Sequence, residues 1–168
     1  MLEPLALALF VALLVYAAGS DIASLTISNW VSIALASVYP IMALASGQNL
    51  PEIGLHLLFG FGVLAAGFVL FQMNIIGGGD AKLFAAVSVW TGIAEFRIFI
   101  LGAALVGGLL ALALVAARQF IPQTEAYPAF VNQLLKKQNG IPYGVAILGG
   151  GLMALPQLPF AEGPLTLP

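Results

Sequence analysis

The sequence predicts an all-α integral membrane protein of about six transmembrane helices, with a short amphipathic segment before the last. Three observations carry that reading. Of the 168 residues, 61% are hydrophobic and only 7% are charged, where an average soluble domain is about 25% charged. Five basic and seven acidic residues are too few to cover a water-facing globule of this length, but they suffice for loops between spans. Mean hydropathy is +1.07, and the apolar residues gather into stretches near the roughly 20 residues that a helix needs to cross a bilayer core. The length suits one membrane-embedded domain over residues 1–168, with no room for a second folded module.

The stretches lie at about 4–20, 30–45, 53–71, 81–93, 96–117 and 142–160. The first could pass for a secretory signal. Its leading residues Met1–Pro4 carry Glu3 and no cation, where a signal peptide has a positive start, so a retained first helix is expected. The second begins at Trp30. In the third and fifth, Gly60, Gly62, Gly67, Gly102, Gly107 and Gly108 predict close helix packing, because small residues let backbones approach in lipid; Gly149–Gly151 in the sixth read the same way. The fourth stretch is short and follows Gly77-Gly78-Gly79 directly, so it is expected to start below the membrane surface. Pro156 and Pro159 break the sixth near its end.

Before the sixth stretch, Pro128 suits a first helical turn. Phe130, Val131, Leu134 and Leu135 then share one helical face ahead of Lys136 and Lys137. This is the pattern of a segment lying on a membrane surface.

Six spans make the loops alternate sides. Lys82, Arg118, Lys136 and Lys137 fall on one side and Arg97 alone on the other, which places the first side in the cytoplasm. The chain has no cysteine and one histidine. Thiolate catalysis, disulfides and cysteine- or histidine-rich metal sites are therefore excluded or disfavoured. A net charge of −2 offers no basic surface for nucleic acid; the expected surroundings are a lipid bilayer.

Two acids stand out. Asp21 is expected to end the first helix and Asp80 to begin the fourth, both on the cytoplasmic side at similar depth. Each has an ordinary reading: Asp80 as an N-cap, Asp21 as a solvated helix end. Together they have a chemical use. Two carboxyls at close range cannot both ionise, so one keeps its proton while the other is a carboxylate. The carboxylate can activate a water against a peptide carbonyl, and the acid can polarise the carbonyl oxygen and protonate the leaving amine. The proton belongs to the pair, so neither role is assigned to one residue. No metal or cofactor enters this hydrolysis. The glycines before Asp80 permit unusual backbone angles and close approach, leaving space for an unwound substrate segment. Two intramembrane acids could also carry protons or cations through a small transporter, although the internal repeats common in transporters are not evident.

Gly77-Gly78-Gly79-Asp80-Ala81-Lys82-Leu83 resembles the G-x-G-D-x-K-L signature of type IV prepilin peptidases. Ile27-Ser28-Asn29 resembles the family's I-P-N segment after the first catalytic aspartate, and Ile141-Pro142-Tyr143-Gly144 resembles a further hydrophobic-P-Y-G segment. The resemblance implies a membrane-embedded aspartyl endopeptidase of the bacterial inner membrane. Such an enzyme removes the short positive leader of prepilin-like proteins at the cytoplasmic face, with Asp21 and Asp80 as the catalytic pair. Gly77, Gly78, Gly79, Lys82, Asn29 and Pro142 are the expected supporting or substrate-binding residues.

Ser28 departs from the usual proline, and no cation lies between Asp21 and Ile27. Without the paired C-x-x-C domain of many members, the chain resembles the short, peptidase-only branch that serves Flp-type tight-adherence pili. Flp-type pilins or pseudopilins are then the expected substrates, and methyltransferase activity is not expected. Lys82 is expected either to snorkel to the interface or to bias the charge of the pair. Asn29 is expected to cap the second helix or to hold the loop after Asp21.

Overall fold

The computed structural model describes residues 2–122, 124 and 126–161, and among these every regular element is helical. Helices α1 (Leu2–Ser24), α2 (Asn29–Ala45), α3 (Leu50–Gln72), α4 (Gly78–Phe120), α5 (Ala129–Leu135) and α6 (Tyr143–Ala154) follow in order, and a 3-10 turn (Leu155–Gln157) closes α6. Three helices, α1, α3 and α4, are long and apolar enough to cross a membrane, and α2 is a shorter apolar helix. The outer surface agrees with this. Ile33, Leu58, Phe61, Leu101, Leu109 and Leu112 are all more than 60% exposed, which would drive aggregation in water but is ordinary against lipid.

The fourth and fifth apolar stretches are one helix with a sharp bend. Gly92 has φ 58 and ψ −165 inside α4, a conformation almost reserved to glycine. It divides α4 into a short arm, 78–91, and a long arm, 93–120. The sequence suggested a loop near 94–95; the structure turns the chain on one residue instead. Elsewhere boundaries move for local reasons. α1 runs on to Ser24, so Asp21 sits within its last turn, and Leu25 then ends the helix with φ 52. This left-handed angle is common just past a helix end but unusual for leucine. α6 is shorter than expected, because Pro156 tightens its end into the 3-10 turn. The expected surface segment appears as α5, with Pro128 one position earlier, at its N-cap.

The helices pack as two layers. In one, α3 lies on the short arm, where Gly60 meets Val89 and Gly67 meets Ala81. In the other, α6 lies on the long arm, where Gly150 meets the backbone of Phe99 and Ala103, Gly107 meets Ala146 and Gly149 meets Val106. These are the close packings expected of the glycines; Gly62 and Gly108 instead face open space. α1 runs beside α6, with Leu14 against Gly151, and α2 beside the short arm, where Trp90 Nε1 donates to Leu35 O at 2.9 Å. The fully buried rings of Phe10, Tyr39, Trp90, Phe99 and Phe160 form the core, and Phe160 folds the end of the described chain back onto Tyr39 and Trp90.

Candidate active site

The bundle brings together the last turn of α1 and the first turns of α4 and α6. Asp21 is only 5% exposed. The chain around it is tied down locally: Ser20 Oγ donates to Thr26 O at 3.0 Å, and Ser24 Oγ meets both Ser20 O and Thr26 Oγ1. A helix leaves its first amides without partners, and α6 offers one of them to Asp21. The backbone N–H of Gly144 donates to Asp21 Oδ2 at 2.7 Å. A helix N-terminus also favours a negative group. The approach demands glycine, since a Cβ at residue 144 would lie 3.0 Å from Asp21 Cβ and 3.1 Å from Oδ2. Pro142 is the N-cap of α6 and fixes where that turn begins.

Asp80 is half-buried and lies within reach of the charge of Asp21. It is not the N-cap of α4; Gly77 is. Asp80 stands three residues further in, and its carboxylate folds back over Gly77, where an added Cβ would lie 2.7 Å from Oδ2. An acidic residue at this third helical position typically reaches back to the cap.

The glycines before Asp80 adopt no left-handed angle, for among described glycines only Gly47 and Gly92 do. What they supply is room. Gly77 leaves space for the Asp80 carboxylate, Gly78 for the Phe71 ring and Gly79 for Ile27, each of which an added Cβ would approach to 3.3 Å or less. Gly79 thereby seats the start of α4 against the loop that follows Asp21.

Asn29 does not cap α2. Ser28 holds the N-cap position and makes no side-chain cap bond. Asn29 Oδ1 instead accepts from Lys82 Nζ at 2.9 Å, so these two residues join α2 to α4 beside the aspartates. Lys82 is exposed, and its partner is an amide rather than a carboxylate.

A cavity of about 850 Å³ opens from Asp80 between the two layers. Its floor includes Gly62, Val63 and Ala66 of α3, and its far wall Ala103 and Ala104 of the long arm with Tyr143 and Ile147 of α6. Apart from Asp80 and the Tyr143 hydroxyl, the lining is apolar. Toward the bend lies a cluster of rings, with Phe96 against Phe59, Phe84 and Phe99 at centroid distances of 5.0–6.0 Å.

The sequence singled out Pro142 but not Gly144 as a site residue, nor this groove. A glycine two positions after a proline, at the head of an apolar stretch, was a usable signal for a carboxylate held by a helix start. The groove comes from a bend that composition hides.

A family model described as the type IV leader peptidase family matches residues 8–112, a span that includes both aspartates and the bend. No curated protein and no solved structure matches the chain. The match covers more than half of the sequence, and the chain belongs to the type IV leader peptidase family, a family of membrane-embedded peptidases.

Proposed function

We propose that Asp21 and Asp80 are the catalytic pair of a prepilin leader peptidase, an aspartic endopeptidase that works at the cytoplasmic face of the bacterial inner membrane. The observation that carries the reading is the Gly144 N–H bond to Asp21. It draws the α1 carboxylate to the head of α6, beside Tyr143, which lines the same cavity as Asp80. These are the only two aspartates in the chain.

The chemistry follows from the surroundings of each acid. A water between the carboxyls gives one proton to the ionised partner as its oxygen bonds to the scissile carbonyl carbon. The protonated partner hydrogen-bonds the carbonyl oxygen. When the tetrahedral intermediate collapses, the carbon–nitrogen bond breaks and a proton passes to the departing amine. One carboxylic acid and one amine result, and the pair returns to its starting state. The Gly144 amide orients Asp21, while Asp80 faces the groove.

The groove, apolar apart from Asp80 and Tyr143, suits an apolar stretch of substrate adjoining the scissile bond. Lys82 and Arg118 flank this end of the bundle. Arg118 Nε and Nη2 hold the carbonyls of Leu134 and Gly140 in the connection that leads to α6. Cations gathered at the site's end support a cytoplasmic orientation. Flp-type pilins or pseudopilins are the proposed substrates, with leader removal and no methylation.

The test is cleavage of a co-expressed prepilin-like protein by wild type, Asp21→Asn and Asp80→Asn. Each variant is expected to lose a factor of about 10²–10⁴, the contribution typical of general acid–base groups. Normal cleavage by either variant overturns the assignment.

A further inference from the structure

We infer that His56 is a positioning residue for the peptidase reaction: it latches the bend of α4 at Gly92 and so sets the opening of the groove whose far end holds Asp80. The inference rests on the peptidase reading for its functional consequence, and on three contacts for its geometry.

The first contact is with the backbone before the bend. His56 Nδ1 lies 2.8 Å from Val89 O. A carbonyl accepts, so Nδ1 carries the proton. Carbonyls in the turn before a helix break need partners from outside the helix, and α3 provides this one. The second contact is with the bend itself. A Cβ on residue 92 would lie 2.7 Å from His56 Cε1 and 2.8 Å from Nε2. The imidazole therefore fills the space that a side chain at the bend would occupy, and rests on the glycine backbone. The third contact fixes the ring. It stacks on Tyr39 of α2 with centroids 4.9 Å apart and planes 12° apart, and Tyr39 is fully buried against Trp90 and Phe160. The ring is thus held on one face by α2 and presses on the bend with its edge.

The groove gives this latch a consequence. The two layers part at the bend, and the cavity lies between them, lined by Phe84 and Asp80 on the short arm and by Phe96, Ile100 and Ala104 on the long arm. The angle at Gly92 is therefore the angle of the groove. Asp80 lies about 20 Å from the bend, given a rise of 1.5 Å per residue along the short arm. A small rotation at the latch is magnified at the mouth. His56 touches neither aspartate in any contact described above. Its effect on cleavage should thus appear as substrate accommodation and leave the chemical step intact.

The experiment compares His56→Phe, which keeps an aromatic ring but loses the donor, with His56→Gln, which keeps a donor. Two substrates are used in proteoliposomes: a prepilin-like protein with its apolar stretch, and a leader peptide truncated just past the scissile bond. Spin labels at the exposed Met73, just past α3, and Leu109, on the long arm, report the separation of α3 from the long arm in the same preparations. For His56→Phe the KM of the full substrate is expected to rise about fivefold, the effect of losing one net hydrogen bond. Its kcat, and cleavage of the truncated peptide, should stay near wild type, while the Met73–Leu109 distance distribution shifts or broadens. His56→Gln should restore both readouts substantially. Wild-type KM with an unchanged distribution in His56→Phe overturns the latch; so does equal loss on both substrates, which marks a general folding defect. The distance readout needs no activity. If wild type cleaves neither substrate, the peptidase reading fails while the latch is still decided by the labels.

Discussion

At the start of the short arm of α4, three consecutive glycines hold ordinary backbone angles and make room for neighbours: a carboxylate, a ring and a loop. At its far end a single glycine holds φ 58 and makes room for a histidine while turning the chain. Glycine at the first end makes room for the acid proposed to act in catalysis, and at the second it shapes the bend beside the groove. A substitution at the first end should damage catalysis while sparing the fold. One at the second should damage the fold and reach catalysis through it.

Gly77→Ala is the sharpest test of the first half. The added methyl would meet Asp80 Oδ2 at 2.7 Å, and the carboxylate, at the tip of a rotatable side chain, gives way before the backbone does. Displacing a catalytic group by about 1 Å can cost on the order of 10²-fold in rate. Cleavage should fall by about that factor while the thermal midpoint in detergent barely moves. If both fall together, the two ends do not differ as described.

Gly92→Ala tests the other half. The alanine must hold an angle that costs roughly 1–3 kcal/mol, and its methyl also collides with the His56 ring. The expected outcome is a clearly lowered thermal midpoint, with cleavage reduced less than in Gly77→Ala. The double variant Gly92→Ala/His56→Ala removes the collision but not the strain, so it should not regain wild-type stability. Full recovery would mean that crowding alone, and not the backbone angle, makes glycine necessary there.

The two ends were unequally legible in the sequence. The first announces itself: an acid after a glycine run, at the head of an apolar stretch, in a chain with few charges. That placement depends on chain order and local chemistry, which a sequence displays. The bend does not announce itself, because Gly92 looks like any of the packing glycines nearby, and the ring that sits against it, His56, comes from a helix more than thirty residues earlier in the sequence. The reading of Asn29 as a cap failed for a related reason. Local propensity proposed a bond within its own helix, whereas a lysine distant in sequence took that oxygen. Six apolar stretches, the family motif and two acids that stand apart in a chain of few charges could be read. The groove could not, since it is the space between two layers whose angle one residue sets.

Asn29 and Lys82 offer the smallest and most discriminating effect. Their bond joins the first turn of α2 to the short arm within two residues of Asp80, yet it is exposed, so water competes for both partners and the net contribution should be about 0.5–1 kcal/mol. If the pair only anchors α2 to α4, Asn29→Ala, Lys82→Met and the double variant should lose the same factor in cleavage, about two- to fivefold. A double-mutant cycle then gives a coupling energy close to either single loss. If Lys82 instead acts on the charge of the aspartates, Lys82→Met should lose more than Asn29→Ala and shift the pH profile of cleavage, which Asn29→Ala should not. An anchor and an electrostatic partner thus predict different inequalities from the same four proteins, and the 2.9 Å contact with the amide oxygen favours the anchor.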